Sequence, residues 1–127
     1  MDQLIRSVLN NCSGMIAEVD LCRKWLENQE NPDARDALII LEMKTAMVSS
    51  WLTLLTTDEK FVIEKHLIEQ LEWPRVAFEF SQRWKGVFSR TERSLVAYQA
   101  SALRKISAFC NAHKEIVSTL FEETEGK

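Results

Sequence analysis

Glycine and proline are scarce, with three and two in 127 residues, where ordinary usage is about 7% and 5%. So few turn-makers among so many Leu, Glu, Lys and Ala imply an all-α chain. Cysteine is also sparse. Cys12, Cys22 and Cys110 are odd in number and form no CxxC pair, so they read as small buried hydrophobes in a reducing compartment. No apolar run nears the roughly 18 residues of a membrane span, and Met1-Asp2-Gln3 lacks the basic start of a secretory signal. The expectation is a protein of the (host) cell cytoplasm with no membrane partner.

Chemistry-bearing clusters are missing too. The three glycines are scattered, so no glycine-rich phosphate loop exists. His66 and His113 stand far apart without paired carboxylates or spaced cysteines; His66 reads as a solvated residue on a helix flank. No Ser/His/Asp grouping is visible. The chain is therefore expected not to be an enzyme and to hold no cofactor and no metal. Its length suits one small domain or two subdomains, with one modest core.

Net charge is −3, but its distribution is uneven. Residues 1–72 hold seven Lys/Arg against thirteen Asp/Glu. Residues 73–114 hold eight Lys/Arg (Arg75, Arg83, Lys85, Arg90, Arg93, Arg104, Lys105, Lys114) against Glu79 and Glu92 alone. A basic block between an acidic front and an acidic tail points to a local anionic partner.

Apolar periodicity divides the chain. In residues 2–28 Ile5, Val8, Cys12, Met15, Val19, Cys22 and Leu26 recur in steps of three and four, a heptad seam. Asn10-Asn11, Ser13 and Gly14 are weak helix formers inside it and open the way to a break. After a connector at Asn28–Asp33, with Asp33 as the expected cap, Ala34, Leu38, Leu41, Thr45, Val48, Leu52 and Leu55 repeat the pattern. Two such helices with a short link predict an antiparallel hairpin over residues 1–54. Its off-seam residues Ile39, Ile40, Met43, Met47, Trp51 and Leu54 need cover from the C-terminal helices or from a second copy. Trp25, Trp51, Trp73 and Trp84 read as core and interface anchors.

Thr57 is the expected cap of a helix over 58–71, with Asp58 and Glu59 at its positive end. Pro74 suits the first turn of a short helix ending near Trp84 and burying Val76, Ala77 and Phe80. Ser81–Phe88, with Gly86, forms the turn region. Ser89 stands three residues before Glu92, the spacing of a capping box, and Thr91 is a second candidate cap. Leu95, Tyr98, Ala102 and Ile106 then line one apolar stripe. The opposite face carries small residues flanked by cations, a shape that suits the DNA major groove. Helix, turn, capped basic helix is the succession of a helix-turn-helix, here with a connection longer than the usual three or four residues. Residues 55–121 form that domain, and 122–127 an acidic tail.

Leu55–Ile63 resembles the first helix of the fourth region of bacterial sigma factors. Trp73–Phe80, with Val76-Ala77, resembles that region's scaffold helix, and Thr91–Ile106 resembles its recognition helix. The chain is more closely similar to phage regulators of the ArpU type, through Arg90-Thr91-Glu92-Arg93-Ser94-Leu95, Tyr98-Gln99 and Ala102-Leu103-x-Lys105-Ile106. The resemblance spans roughly residues 55–107. It implies a small sigma-like protein that binds double-stranded DNA and activates late phage or prophage genes by recruiting host RNA polymerase. On the firmer register of the last helix, Glu92, Arg93, Ser94, Ala97 and Ser101 match the base-facing side.

Within that scheme Arg93 is the candidate for a guanine edge, Ser94 and Ser101 can donate to bases or phosphates, and Ala97 can meet a thymine methyl. Glu92 either accepts from a cytosine amino group or serves as the capping partner of Ser89. Arg75, Arg83, Lys85 and Arg90 are the phosphate candidates. Arg104 and Lys105 are expected to complement the dipole at a helix end. The rival expectation is a helical module that binds RNA polymerase or another regulator without touching DNA. Whether residues 1–54 dock on polymerase, pair with a second copy as a homo-oligomer, or do both stays open at this level.

Overall fold

The computed structural model describes residues 1–84 and 91–122 (of Glu122 only the backbone), and among these every regular element is helical. The helices are α1 (Asp2–Asn10), α2 (Cys12–Leu26), α3 (Pro32–Thr53), α4 (Thr57–Val62), α5 (Trp73–Trp84), α6 (Glu92–Ala112) and α7 (Lys114–Val117). α4 and α7 run on as wider π-helical turns, Ile63–Ile68 and Ser118–Glu122. Lys85, Arg90 and the proposed Ser89–Glu92 box involve residues outside the described set.

The first heptad run breaks where its weak helix formers stand. At Asn11 the backbone leaves helical geometry, and the Asn11 side-chain amide donates to the Ser7 carbonyl at 2.9 Å. The break separates two packing tasks. α2 lies along α3, whereas α1 turns away to pack on α6 and on the π-helical turn after α4. The main core accordingly draws on the whole chain: Ile5, Val8 and Leu9 of α1 meet Val48 and Trp51 of α3, Ile63 and Leu67, then Ala102, Ile106 and Cys110 of α6 and Phe121. Burial pushes the Cys12 thiol up and holds that of Cys110 at about 11, so both stay protonated and unreactive.

Two expected helix starts shift by one or two residues, and a third, Thr91, is one of the two candidates for its helix. Asn31, not Asp33, caps α3, accepting from the Ala34 N–H at 3.1 Å with Pro32 at the first helical position. Thr56, not Thr57, caps α4. Its hydroxyl accepts from the Glu59 N–H at 3.2 Å, and its own N–H donates to Glu59 Oε1 at 3.0 Å. That is a full capping box, and the chain chose the threonine with a glutamate three residues on. Thr91 caps α6 through the Ser94 N–H at 3.2 Å.

The helix begun at Thr57 stops before Leu71. Gln70 takes a left-handed conformation (φ 62°), which costs a non-glycine residue about 1 kcal/mol or more. Its side-chain amide donates to the Asn10 carbonyl at 2.9 Å, satisfying an acceptor at the end of α1 that the helix itself leaves open. His66 is half-buried rather than solvated: it stacks on Trp73 with ring centroids 3.8 Å apart, and its Nδ1 lies 3.0 Å from the Leu71 carbonyl oxygen.

A second, smaller core joins Phe61, Val62, Val76, Phe80 and Leu95, with Trp73, Trp84 and Tyr98 around it. Phe61 meets Phe80 and Trp84 edge-on, both at 5.5 Å. This core fixes α5 against α4 and the start of α6.

Glu59 ties α4 to the middle of α6. It is 5% exposed, and besides closing its capping box it accepts from Ser101 Oγ at 2.7 Å and from Lys105 Nζ at 2.8 Å. Burial pushes its carboxyl up, but the hydrogen bonds from Lys105, Ser101 and Thr56 and the Lys105 charge outweigh that and hold it at about 2, below the ordinary 4.5. A carboxyl depressed in the folded state stabilises the fold fully above its unfolded value, and the contribution disappears as pH falls through the folded value. Acid unfolding should therefore show a transition between pH 4.5 and about 2 that Glu59→Gln removes. At neutral pH Glu59→Gln should cost about 2–3 kcal/mol in urea unfolding; a cost below about 0.5 kcal/mol contradicts this role.

Candidate nucleic-acid interface

α6 presents three sides to different surroundings. Leu95, Ala102, Ile106 and Cys110 are fully buried, with Gln99 and Leu103 beside them. Ser101 and Lys105, one turn apart, face Glu59. Leu95 reaches the smaller core and Ala102 to Cys110 the larger one. Exposed on the outward side are Arg93, Val96, Ala97, Ala100, Arg104 and Ala108; of these Arg93, Ala97, Ala100 and Arg104 fall at i, i+4, i+7 and i+11 on one stripe, with Val96, 44% exposed, at its edge.

This stripe has the chemistry of a groove-reading surface. Two small side chains occupy its middle and let the backbone approach a partner closely. An arginine stands at each end, the two separated by about 16 Å of helix rise. Among the described residues neither Arg93 nor Arg104 has an ion-pair partner. Both guanidiniums are thus available to phosphate or to a base edge.

The expected base-facing residues divide. Glu92, Arg93 and Ala97 are exposed. Ser94 is half-buried, and its hydroxyl accepts from Thr91 Oγ1 at 3.3 Å, so it belongs to the cap of α6 as much as to the outward face. Ser101 departs altogether: its hydroxyl is spent on Glu59. Arg104 and Lys105 are not at a helix end, because α6 continues to Ala112. Arg104 instead joins the outward stripe, and Lys105 pairs with Glu59. The signal for Arg104 was its spacing from Arg93, since eleven residues make three turns.

The phosphate candidates also separate. Arg75 is held by Glu79 at 2.7 Å, and Glu79 takes Lys65 at 3.3 Å as well. The Arg75 and Lys65 hydrogen bonds keep the Glu79 carboxyl below its ordinary value. Arg83 lies over the Phe61 and Trp84 rings at 5.7 and 5.3 Å. It lines a cavity of about 450 Å³ with Thr57, Lys60 and Glu64, so the fold groups it with Lys60. Lys85 and Arg90 lie outside the described residues.

Among the described residues no group of His, Cys, Asp and Glu is arranged to hold a metal ion, and no helix is long and apolar enough to cross a membrane. Compared with known protein families, characterised proteins and solved structures, the chain matches none. The site rests on its own geometry.

That geometry separates Ser101 from its neighbours on the stripe. Ser101→Ala should lower stability by about 1.5–3 kcal/mol, the worth of a hydrogen bond to a charged acceptor. It should leave affinity for any polyanion unchanged, whereas Arg104→Ala should show the opposite pattern. Heparin-column retention beside urea unfolding checks both; equal retention of Arg104→Ala and the parent chain contradicts the assignment.

Proposed function

We propose that this chain is a sequence-specific, double-stranded-DNA-binding transcriptional regulator of the phage ArpU type. In this reading it uses α5 and α6 as the two helices of a sigma-like helix-turn-helix and activates late genes by recruiting host RNA polymerase. The observation that carries the DNA-binding part is the α6 stripe of Arg93, Ala97, Ala100 and Arg104, exposed and free of ion pairs among the described residues. Phage origin and polymerase recruitment are supported by the resemblance over residues 55–107.

The mechanism follows from the geometry of a helix in the major groove. Arg93, in the first turn, pairs its planar fork with a guanine edge, a contact that supplies roughly 1–3 kcal/mol of discrimination. Ala97 and Ala100 keep the helix close to the base edges, where an apolar methyl meets thymine. Arg104, three turns on, reaches the phosphates at the groove wall, and Lys85, Arg83 and Arg90 add contacts that set register without reading sequence. Arg75 contributes only by exchanging Glu79 for phosphate. The acidic residues 1–72 stay away from the duplex and favour this one face.

The alternative, a module that binds RNA polymerase or another regulator without DNA, is favoured by one observation. Leu21, Trp25, Ile39, Ile40 and Met43 on α2 and α3 are about half exposed or more, a surface suited to protein rather than nucleic acid.

Fluorescence anisotropy with duplex DNA decides between them. The DNA-binding reading predicts retention at low salt that weakens steeply as salt rises. Arg93→Ala should weaken binding to the preferred site by about tenfold or more and flatten sequence preference, and Arg104→Ala should weaken all duplexes alike and reduce the salt slope by about 1. No binding at low salt, or a sequence preference untouched by Arg93→Ala, overturns it.

A further inference from the structure

We infer that the chain forms a two-fold dimer through one flank of the α2–α3 pair, the flank that carries Leu21, Trp25 and Ile40, with Met43 at its outer edge. The two flanks of this pair are unlike. On one, Arg23 of α2 bonds Glu42 of α3, closing the seam with an ion pair. Two residues along a helix turn the side chain by about 160° the short way round. Trp25 and Ile40, each two residues from a member of that pair, therefore stand on the opposite flank of their own helices.

That opposite flank is already a packing surface at its lower end. Counting back along α3 from Trp51, Met47, Lys44, Ile40 and Ala37 fall on one side of the helix. Trp51 is fully buried beneath Phe121, with ring centroids 5.8 Å apart, Met47 packs on the main core, and Lys44 is buried. Above them the cover ends. Ile40 is 47% and Met43 54% exposed, and across on α2 Trp25 is 50% and Leu21 66% exposed. The same stripe, interrupted by the buried Lys44, thus passes from core to solvent and is apolar again where the cover ends.

The occupant we assign is a second copy of the chain. Four large side chains exposed to this extent present on the order of 450 Å² of apolar surface, which matches the apolar share of a standard interface of about 800 Å² per partner. The patch comes from two adjacent helices, so a two-fold axis can set Trp25 of each copy against Ile40 and Met43 of the other, closing the contact on itself as a four-helix arrangement. Glu18 and Asp36, both exposed, border it, and with the acidic balance of residues 1–72 they turn nucleic acid away. Trp25 is the expected anchor, large and half-desolvated in advance. This inference does not depend on the DNA-binding reading: it uses none of α6.

Sedimentation equilibrium of the full chain from 1 to 100 µM (on the order of ordinary homodimer affinities) tests it. The expected mass is twice 14.7 kDa at the upper concentrations. Trp25→Glu combined with Ile40→Glu should weaken association at least about tenfold with unchanged helical circular dichroism. Leu21→Glu, at the most exposed position, should do the same and decides the matter if the double variant unfolds. Ile16→Glu, on the ion-paired flank, should leave the dimer intact. A mass of 14.7 kDa throughout, a larger assembly, a dimer that survives Leu21→Glu, or one lost equally with Ile16→Glu overturns the proposal.

Discussion

The buried carboxylate of Glu59 is the constraint on which the rest of the arrangement depends. It is one turn into a short helix of only six residues, which alone is far below the length at which isolated helices hold together. Its two oxygens reach in two directions, back to the N–H of Thr56 and across to Ser101 and Lys105. A charge taken this far from water is tolerable only when its lone pairs are filled. The cap and the cross-link therefore stand or fall together. The consequence for α6 is rotational: with Ser101 and Lys105 turned toward α4, the helix has no freedom to choose which side faces outward. Arg93, Ala97, Ala100 and Arg104 are presented because Glu59 holds the other polar side.

The two cores divide the remaining work. The smaller one, built on aromatic edges around Phe61 and Phe80, sets α5 beside the beginning of α6. The larger one clamps the second half of α6 between α1, α3 and the C-terminal turn. A helix of 21 residues gripped at both halves is a rigid rod, and the groove-reading role proposed for it requires that rigidity. The end of the α2–α3 pair away from Cys12, Val48 and Trp51, by contrast, lies beyond both cores, and that is where the apolar side chains lie open.

Much of this was legible in the residues. Low glycine and proline foretold helices, the weak formers at Asn10–Gly14 marked the break at Asn11, and the seam through Ala34, Val48 and Leu52 found its place. The apolar stripe of α6 was equally clear, since a period of 3.6 sorts inside from outside directly. What periodicity leaves undecided is the polar side. Ser101 stands beside the outward face on a helical wheel, and nothing near it tells of a carboxylate 42 residues earlier in the chain. Lys105 and Arg104 look alike as neighbouring exposed cations, yet the ammonium of one is engaged by Glu59 and the guanidinium of the other has no ion-pair partner among the described residues. Thr56 and Thr57 were separable in principle, because only Thr56 has Glu59 at the capping-box spacing. His66 was harder: its stack on Trp73 depends on the π-helical turn and on the left-handed Gln70, neither of which apolar patterning encodes.

The proposed function rests on the outward stripe of α6 as the surface that would meet DNA. Backbone amide chemical shifts of the full chain, followed during titration with a short duplex at low salt, test it most directly. The account predicts that the perturbed amides run from Arg93 to Arg104, with Ala97 and Ala100 among them, and that the perturbation fades as salt is raised. Shifts confined to α2 and α3, or a spectrum that does not move at all, contradict it.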